Sequence, residues 1–365
     1  MILDRNVAMS SHEKTVYFLG AGATRADYPH IPLMDDLLHE IVSSRSAEGP
    51  LLEFLGEIFG RQGVRCETNV QARPRIDDVF TMIDACLSGR APSPAGRSRE
   101  QLIEIRRHLI ASIGQVIARN INDGHARVAT RFAKHLPESC STIISTNYDI
   151  VMDNALLERR PKNVNYGVPI RQAVHRVNAL LEGRFDEIHH YRPIPDSQEV
   201  VRRGGIPLMK LNGSLNWLYC PRCDEVDITL LQSKGAVGIL DEPELGRCSR
   251  AECTSPYEPV LVGPSLEQRY EHRVLRDTWS RAERALQTAD RLVMIGYSMP
   301  DADYLIRAML ARTFANRSHD VTVVTMGKTD LDQPLLEQRY RRVFSECTFE
   351  SEGFAKFVDR MAEAA

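Results

Sequence analysis

Apolar residues fall along this chain in two patterns. Short runs dominated by aliphatic and β-branched residues each end in glycine or polar residues: "TVYFLG" (Thr15 to Gly20), "TIISTNYD" (Thr142 to Asp149), "PLMKLNGS" (Pro207 to Ser214), "RLVMIGYS" (Arg291 to Ser298) and "VTVVTMG" (Val321 to Gly327). These predict strands. Elsewhere the apolar residues recur every three to four positions, as with Leu33, Leu37, Leu38 and Ile41, and again in "RIDDVFTMIDACL", "EQLIEIRRHLIASIGQVIARNI", "IVMDNALLER" and "DADYLIRAMLART". That spacing predicts helices. "SGRAPSPAGRSRE" (Ser88 to Glu100) reads as a loop, and residues 160–206, rich in Arg and Pro, show little periodicity. Strands alternating with helices predict an α/β fold with a parallel, doubly wound sheet.

Composition narrows the class. The chain has 365 residues, 43% hydrophobic and 26% charged, as expected of an ordinary soluble globular protein with a sizeable core. Lys and Arg number 46 against 49 Asp and Glu, with no block of like charge, so no surface dedicated to nucleic acid is indicated. The N-terminal stretch lacks an apolar core of signal-peptide length, and no 18-residue apolar run occurs. The expectation is a cytoplasmic protein that makes no membrane contact. In that compartment the eight cysteines are thiols and metal ligands rather than disulfides. Cys66, Cys86, Cys140 and Cys347 stand singly, as small buried hydrophobes do.

Four motifs carry chemistry. "GAGAT" (Gly20, Ala21, Gly22, Ala23, Thr24) follows a strand directly, where a glycine turn lets backbone N–H groups approach a pyrophosphate. Arg25 stands where the third glycine of G-x-G-x-x-G belongs, so a plain tight turn and a nucleotide site of another design both remain open. "STNYD" (Ser145, Thr146, Asn147, Tyr148, Asp149) ends a strand at the edge where ligands gather in open α/β sheets, and its Asn and Asp equally suit a helix cap. "GYSMPDADY" is a third such junction. Its Ser298 suits a phosphate or ribose hydroxyl, and its Asp301 suits a first-turn acid. Cys220 and Cys223 form C-x2-C, and Cys248 and Cys253 form C-x4-C 24 residues later. Four thiolates in two close pairs suit a structural tetrahedral zinc, with Gly235, Gly238, Pro243 and Gly246 in the small module between.

Together and in order, these pieces resemble the sirtuin family: Gly20-Ala21-Gly22, Thr146-Asn147-Tyr148-Asp149, Asn212-Gly213, the four cysteines, and Gly296-Tyr297-Ser298. The details "NYD", "GSLNW" and "GYSMPDADY" are similar to the sirtuin-like bacterial proteins of antiphage defence. The resemblance spans about residues 14 to 330. It implies a single Rossmann-like domain with a nucleotide-binding core at 14–34 and 140–330. A helical insert at 35–135 and a zinc-ribbon insert at 218–258 interrupt that core, and a helical tail follows at 331–365. It also implies NAD+ as substrate and cleavage of the nicotinamide–ribose bond, draining NAD+ during infection. Asn147 matches the residue that positions the ribose and the attacking water, and Asp149 the acid that orders its loop. Gly20, Gly22, Thr24, Ser145 and Ser298 match ribose–phosphate contacts. Ala21, Ala23, Pro32, Thr146, Gly213 and Gly296 belong to the same expected pocket. Related stand-alone members resemble partners of HerA-type hexameric ATPases, which suggests a homo-oligomer on such a ring.

One position departs from the family. Its catalytic histidine is here Asn212, within "KLNGSLNWLYCPRC", and an amide does not titrate near neutral pH. The chain could carry an engineered substitution, work without that base, or bind NAD+ or ADP-ribose without consuming it. Another histidine (His175, His189 or His190) could also substitute. A protein deacylase needs the histidine more strictly, so Asn212 counts against that activity.

Overall fold

A computed structural model describes residues 13–43, 49–60, 74–121, 126–159, 164–168, 170–172, 205–228, 246–248, 250, 252–267, 270, 272–326 and 332–363. The chain opens with β1 (Thr15–Leu19) and a one-turn helix, α1 (Ala21–Arg25). There follow α2 (Met34–Ser43), α3 (Pro50–Phe59), α4 (Ile76–Leu87), α5 (Arg99–Ile121) and α6 (Arg127–His135). Next come β2 (Ser141–Ser145), α7 (Val151–Arg159), β3 (Arg171–Gln172), β4 (Leu208–Lys210), β5 (Gly213–Cys220), β6 (Glu225–Ile228) and β7 (Glu258–Leu261). The last third holds α8 (Arg273–Thr288), β8 (Arg291–Ile295), α9 (Tyr304–Phe314), β9 (Val321–Val324), α10 (Asp332–Arg341), β10 (Thr348–Glu350) and α11 (Phe354–Glu363).

Six strands form one wholly parallel sheet in the order β10-β9-β8-β1-β2-β4. Numbered by their succession within the sheet, the strands read 6-5-4-1-2-3. That is the Rossmann order, with its reversal between β1 and β8. Both faces are covered, which explains the unbroken apolar strands. Tyr17, Leu19, Ile143, Leu208 and Val293 join Phe132 of α6 and Val358 of α11 on one face. Val16, Phe18, Ile144, Met209 and Met294 join Leu286 of α8 and Ile306 and Met309 of α9 on the other. The alternation is the period of two that a pleated strand imposes. Phe132 is fully buried and meets Tyr17 edge-on at 5.1 Å, so Phe132→Ala costs about 3–5 kcal/mol.

Helices α2 to α5 build a separate layer around Leu38, Ile41, Phe54, Phe80 and Ile113. Its longest member, α5, starts on a reciprocal cap: Gln101 N–H donates to the Ser98 hydroxyl, and Ser98 N–H donates to the Gln101 side-chain carbonyl. Leu215, Leu261 and Ile150 tie this layer to the rest of the chain. The helix α6, which the sequence grouped with the insert, packs on the sheet instead through Ala129, Phe132 and Ala133.

Three further differences have physical causes. "TIISTNYD" is strand only to Ser145, because Thr146 to Asp149 turn over the end of β1. "PLMKLNGS" is not one strand: after Lys210 the chain turns at Leu211 and Asn212, and Gly213 opens β5. Gly213 has φ +80°, and a Cβ there would lie 1.8 Å from the Val260 carbonyl oxygen, so only glycine fits. This redirection starts a second sheet, ordered β3-β6-β5-β7, that the sequence reading did not contain. Lastly, the C-terminal segment is helical at α10 and α11 but also lends β10 to the main sheet.

Candidate functional site

The register of the sheet brings the scattered motifs to one edge. Lys210, Ser145, Leu19, Ile295 and Val324 lie in one row across β4, β2, β1, β8 and β9. The residues that follow this row are Asn212–Gly213, Thr146–Asp149, Gly20–Thr24 and Gly296–Ser298. They sit beyond the carboxyl ends of the strands, at the point where the strand order reverses, which is where open α/β sheets bind ligands.

At the reversal two backbones touch. Gly20 N–H donates to the Ile295 carbonyl at 3.0 Å, and Gly22 N–H donates to the Gly296 carbonyl at 2.8 Å. A Cβ on Gly20 would meet the Tyr297 Cα at 2.5 Å, and one on Gly22 the Gly296 Cα at 2.8 Å. Both glycines are therefore required for close packing of the β1–α1 turn on the end of β8. The Gly22 N–H is engaged by the Gly296 carbonyl within this contact. Ala21 is exposed, and Ala23 is buried beneath the turn.

Next to this contact, three residues form a relay. The Asn147 amide donates through Nδ2 to the Gly20 carbonyl and to the Thr24 hydroxyl, each at 3.0 Å. The Thr24 hydroxyl donates to Asp149 Oδ2 at 2.7 Å. Asp149 Oδ1 accepts the Val151 N–H at 3.0 Å, so the same carboxylate caps α7. Asp149 thus caps α7 with one oxygen and receives Thr24 on the other, whereas the Asn147 side chain reaches across to the β1–α1 turn. Ser145 accepts the Asn147 N–H on its hydroxyl, and Thr146 N–H donates to the Leu19 carbonyl. Burial pushes the Asp149 carboxyl above its ordinary range. The charge of Lys210, the Thr24 hydroxyl and the Val151 N–H pull it down, and Asp153 adds to the rise.

Below the relay lies a buried ion pair that the sequence reading did not single out. The Lys210 ammonium, 1% exposed, donates to the Asp149 carbonyl and meets Asp153 Oδ2 at 3.2 Å. Tyr166 donates to the other Asp153 oxygen, and Asn216 of β5 donates to the Tyr166 hydroxyl at 3.0 Å. A visible signal existed: Lys210 is a charge inside an apolar strand, and Asp153 interrupts the apolar face of "IVMDNALL". Leu19, Ala23, Thr24, Ser145, Asn147, Asp149 and Lys210 share the walls of one small cavity.

Asn212 is buried against the 146–149 loop. Its Nδ2 donates to the Thr146 carbonyl at 3.3 Å, and its Oδ1 receives the Tyr270 hydroxyl at 3.5 Å, the outer limit for such a bond. Tyr270 packs edge-on against Trp279 at 4.6 Å, and the Trp279 indole N–H donates to the carbonyl of Leu211. Burial, with the nearby charge of Asp303, holds the Tyr270 phenol well above its ordinary value, so at neutral pH it is a neutral donor. Tyr270 and Trp279, far along the chain, carried no sequence signal.

The remaining candidates are less engaged. Ser298 is exposed at the end of β8, and its carbonyl accepts from Arg339. Asp301 pairs with Arg307 at 3.2 Å but lies in the turn before α9, whose N-cap is Asp303 and whose first turn holds no acid, so it is not the first-turn acid that the sequence suggested. Pro32 is half-buried in the connection to α2. His175, His189, His190, Gly235, Gly238 and Pro243 lie outside the described residues.

Cys220, Cys223, Cys248 and Cys253 meet as expected, their sulfurs all within 4.8 Å of one another. The Cys220–Cys253 and Cys223–Cys248 separations are 3.6 and 3.9 Å. A tetrahedral ion with metal–sulfur bonds of about 2.3 Å needs sulfurs about 3.8 Å apart, so the set fits zinc. A set of four thiolates leaves no open position, as suits a structural rather than a catalytic ion. Arg250 reaches Cys248 Sγ at 3.7 Å and pairs with Glu225.

Among the solved structures to which the chain is similar are three sirtuin-related ones. One concerns the mechanism and regulation of Sir2 enzymes (12% identity, TM-score 0.44, covering 97% of this chain and 92% of that one). A second concerns sirtuin substrate affinity (14%, 0.44, 100% and 99%), and a third is a Sir2 homologue in complex with NAD (14%, 0.45, 100% and 95%). No family model matches the chain, and no curated protein does.

Proposed function

We propose that this chain binds NAD+ beyond the carboxyl ends of β1, β2, β4 and β8 and hydrolyses its nicotinamide–ribose bond, releasing nicotinamide and ADP-ribose. The observation that carries this reading is the relay from Asn147 through Thr24 to Asp149, set at the reversal of a Rossmann-ordered sheet. Loss of nicotinamide passes through an oxocarbenium-like state. Holding the ribose and placing a water beside it supply most of what such a reaction needs. With both Nδ2 contacts made, the Asn147 amide keeps Oδ1 for a ribose hydroxyl or a water. The four-cysteine centre stiffens the end of β5 and takes no part in chemistry.

The second reading is a module that binds NAD+ or ADP-ribose without cleaving it. Asn212 favours it: the amide is held by Thr146 and Tyr270 and cannot accept a proton near neutral pH. A deacylase is the least supported activity for the same reason. Nicotinamide release by the chain, beside Asn212→His and Asn147→Ala, separates the readings. Release by the chain that is lost in Asn147→Ala supports the hydrolase. Release by Asn212→His alone marks a hydrolase fold disabled at one residue. Silence from all three, with NAD+ bound, supports the binding module.

Action as a cytoplasmic antiphage protein that depletes NAD+, as a homo-oligomer on a HerA-type ATPase ring, is part of the same proposal and rests on the motif resemblance alone. A stable monomer in size exclusion, alone and with such an ATPase, counts against the assembly.

A further inference from the structure

We propose that Lys210 is the positioning residue of this site: its ammonium, clamped between the Asp149 carbonyl and the Asp153 carboxylate, holds the 146–149 loop so that Asp149 faces Thr24 and receives its hydroxyl. A lysine this buried is rare unless its charge is answered. Here one N–H bond goes to the loop backbone and one to Asp153, whose second oxygen is taken by Tyr166. The clamp therefore joins the end of β4 to the loop after β2 and to α7.

The direction of the relay depends on this cation. An ionised Asp149 can only accept, so Thr24 must donate to it, and the Thr24 oxygen is then left to accept from Asn147. A protonated Asp149 could donate instead and disorder that sequence. The groups acting on Asp149 from each packed element are Lys210 from β4, Asp153 and the Val151 N–H from α7, and Thr24 from α1; Tyr28, after α1, is near enough to feel its charge. Burial and Asp153 favour the protonated form, and Lys210 is the cation that opposes them. That the relay serves a nucleotide rests on the function proposed above. That Lys210 sets its direction does not.

Lys210→Met alone would strand the Asp153 charge, so the test compares Lys210→Met/Asp153→Asn with Asp153→Asn. In protein carrying 13C-labelled aspartate, the Asp149 carboxyl carbon, assigned by its loss in Asp149→Asn, is titrated by NMR. The expected result is a midpoint about one pH unit or more higher in the double variant. Equal midpoints overturn the proposal. If the methionine variant does not fold, Lys210→Gln/Asp153→Asn keeps a donor for the Asp149 carbonyl, removes the charge, and must show the same rise. Nicotinamide release across pH is measured on the same proteins, where the acid limb should move up with the carboxyl midpoint. A fixed limb beside a shifted midpoint separates Lys210 from the chemistry and overturns its positioning role. If the starting protein releases no nicotinamide and binds no NAD+, the functional reading fails, and the carboxyl titration still decides the role of Lys210.

Discussion

Thr24 and Asp149 stand 125 residues apart in sequence, and the hydroxyl of one donates to the buried carboxylate of the other at 2.7 Å. This bond ties the turn after β1 to the loop after β2 and gives Asn147 an oxygen to rest on. Thr24→Val keeps the shape and removes the hydroxyl, leaving a buried carboxylate oxygen unanswered. A loss of about 1–3 kcal/mol in stability is expected by denaturant unfolding, with ADP-ribose affinity falling about tenfold. Thr24→Ser should recover most of both.

Asp149 also sets a pH dependence. Burial raises its carboxyl above the ordinary aspartate value in the folded protein, so the folded state holds this proton more tightly than the unfolded chain. Stability contributed by this group therefore falls as pH rises from the ordinary aspartate value through the raised folded one. Asp149→Asn removes the dependence. Denaturant unfolding at stepped pH should show the two proteins diverging across that window, and parallel curves would refute the assignment.

The cysteine centre predicts about one zinc per chain by elemental analysis. Trp217 is fully buried on β5, three residues before Cys220, so its fluorescence reports on this module. Cys253→Ser should lower the metal content and the Tm, and chelation should shift the Trp217 emission to the red. A Tm indifferent to chelator would mean that the thiols stand alone.

Asn212 predicts the absence of a titration. Both of its side-chain partners, the Thr146 carbonyl and the neutral Tyr270 phenol, are fixed across neutral pH. The rate of the chain as it stands should lack a limb in the histidine range. Asn212→His should introduce one near pH ~6.5 and raise the rate about 10²- to 10⁴-fold. Tyr270→Phe should slow the chain as it stands while leaving its Tm nearly unchanged.

Gly296 predicts a steric requirement. Its φ is +60°, and a Cβ there would sit 2.3 Å from the Ala23 nitrogen. Gly296→Ala should cost about 3 kcal/mol and separate the two turns at the strand reversal, read as a lowered Tm.

The main sheet was legible because its strands are short apolar runs ending in glycine or polar residues, and Asn147, Asp149 and the four cysteines announce themselves by type and spacing. What stayed hidden was non-local. The use of Gly22 could not be read, since its N–H goes to Gly296, on a strand far along the chain. Nor could the fate of "PLMKLNGS", where a left-handed glycine turns one apparent strand into two sheets. Lys210 was in plain view as a charge within an apolar strand, yet only Asp153, placed by α7, gives it meaning. Tyr270 reaches Asn212 across a fold that no local pattern specifies.

The most direct measurement is calorimetric titration of ADP-ribose into the purified chain and into Asn147→Ala. The account predicts saturable binding at one site per chain, weakened at least about tenfold by the substitution. No binding, or equal binding by both proteins, would contradict a nucleotide site at the end of β1 and β2.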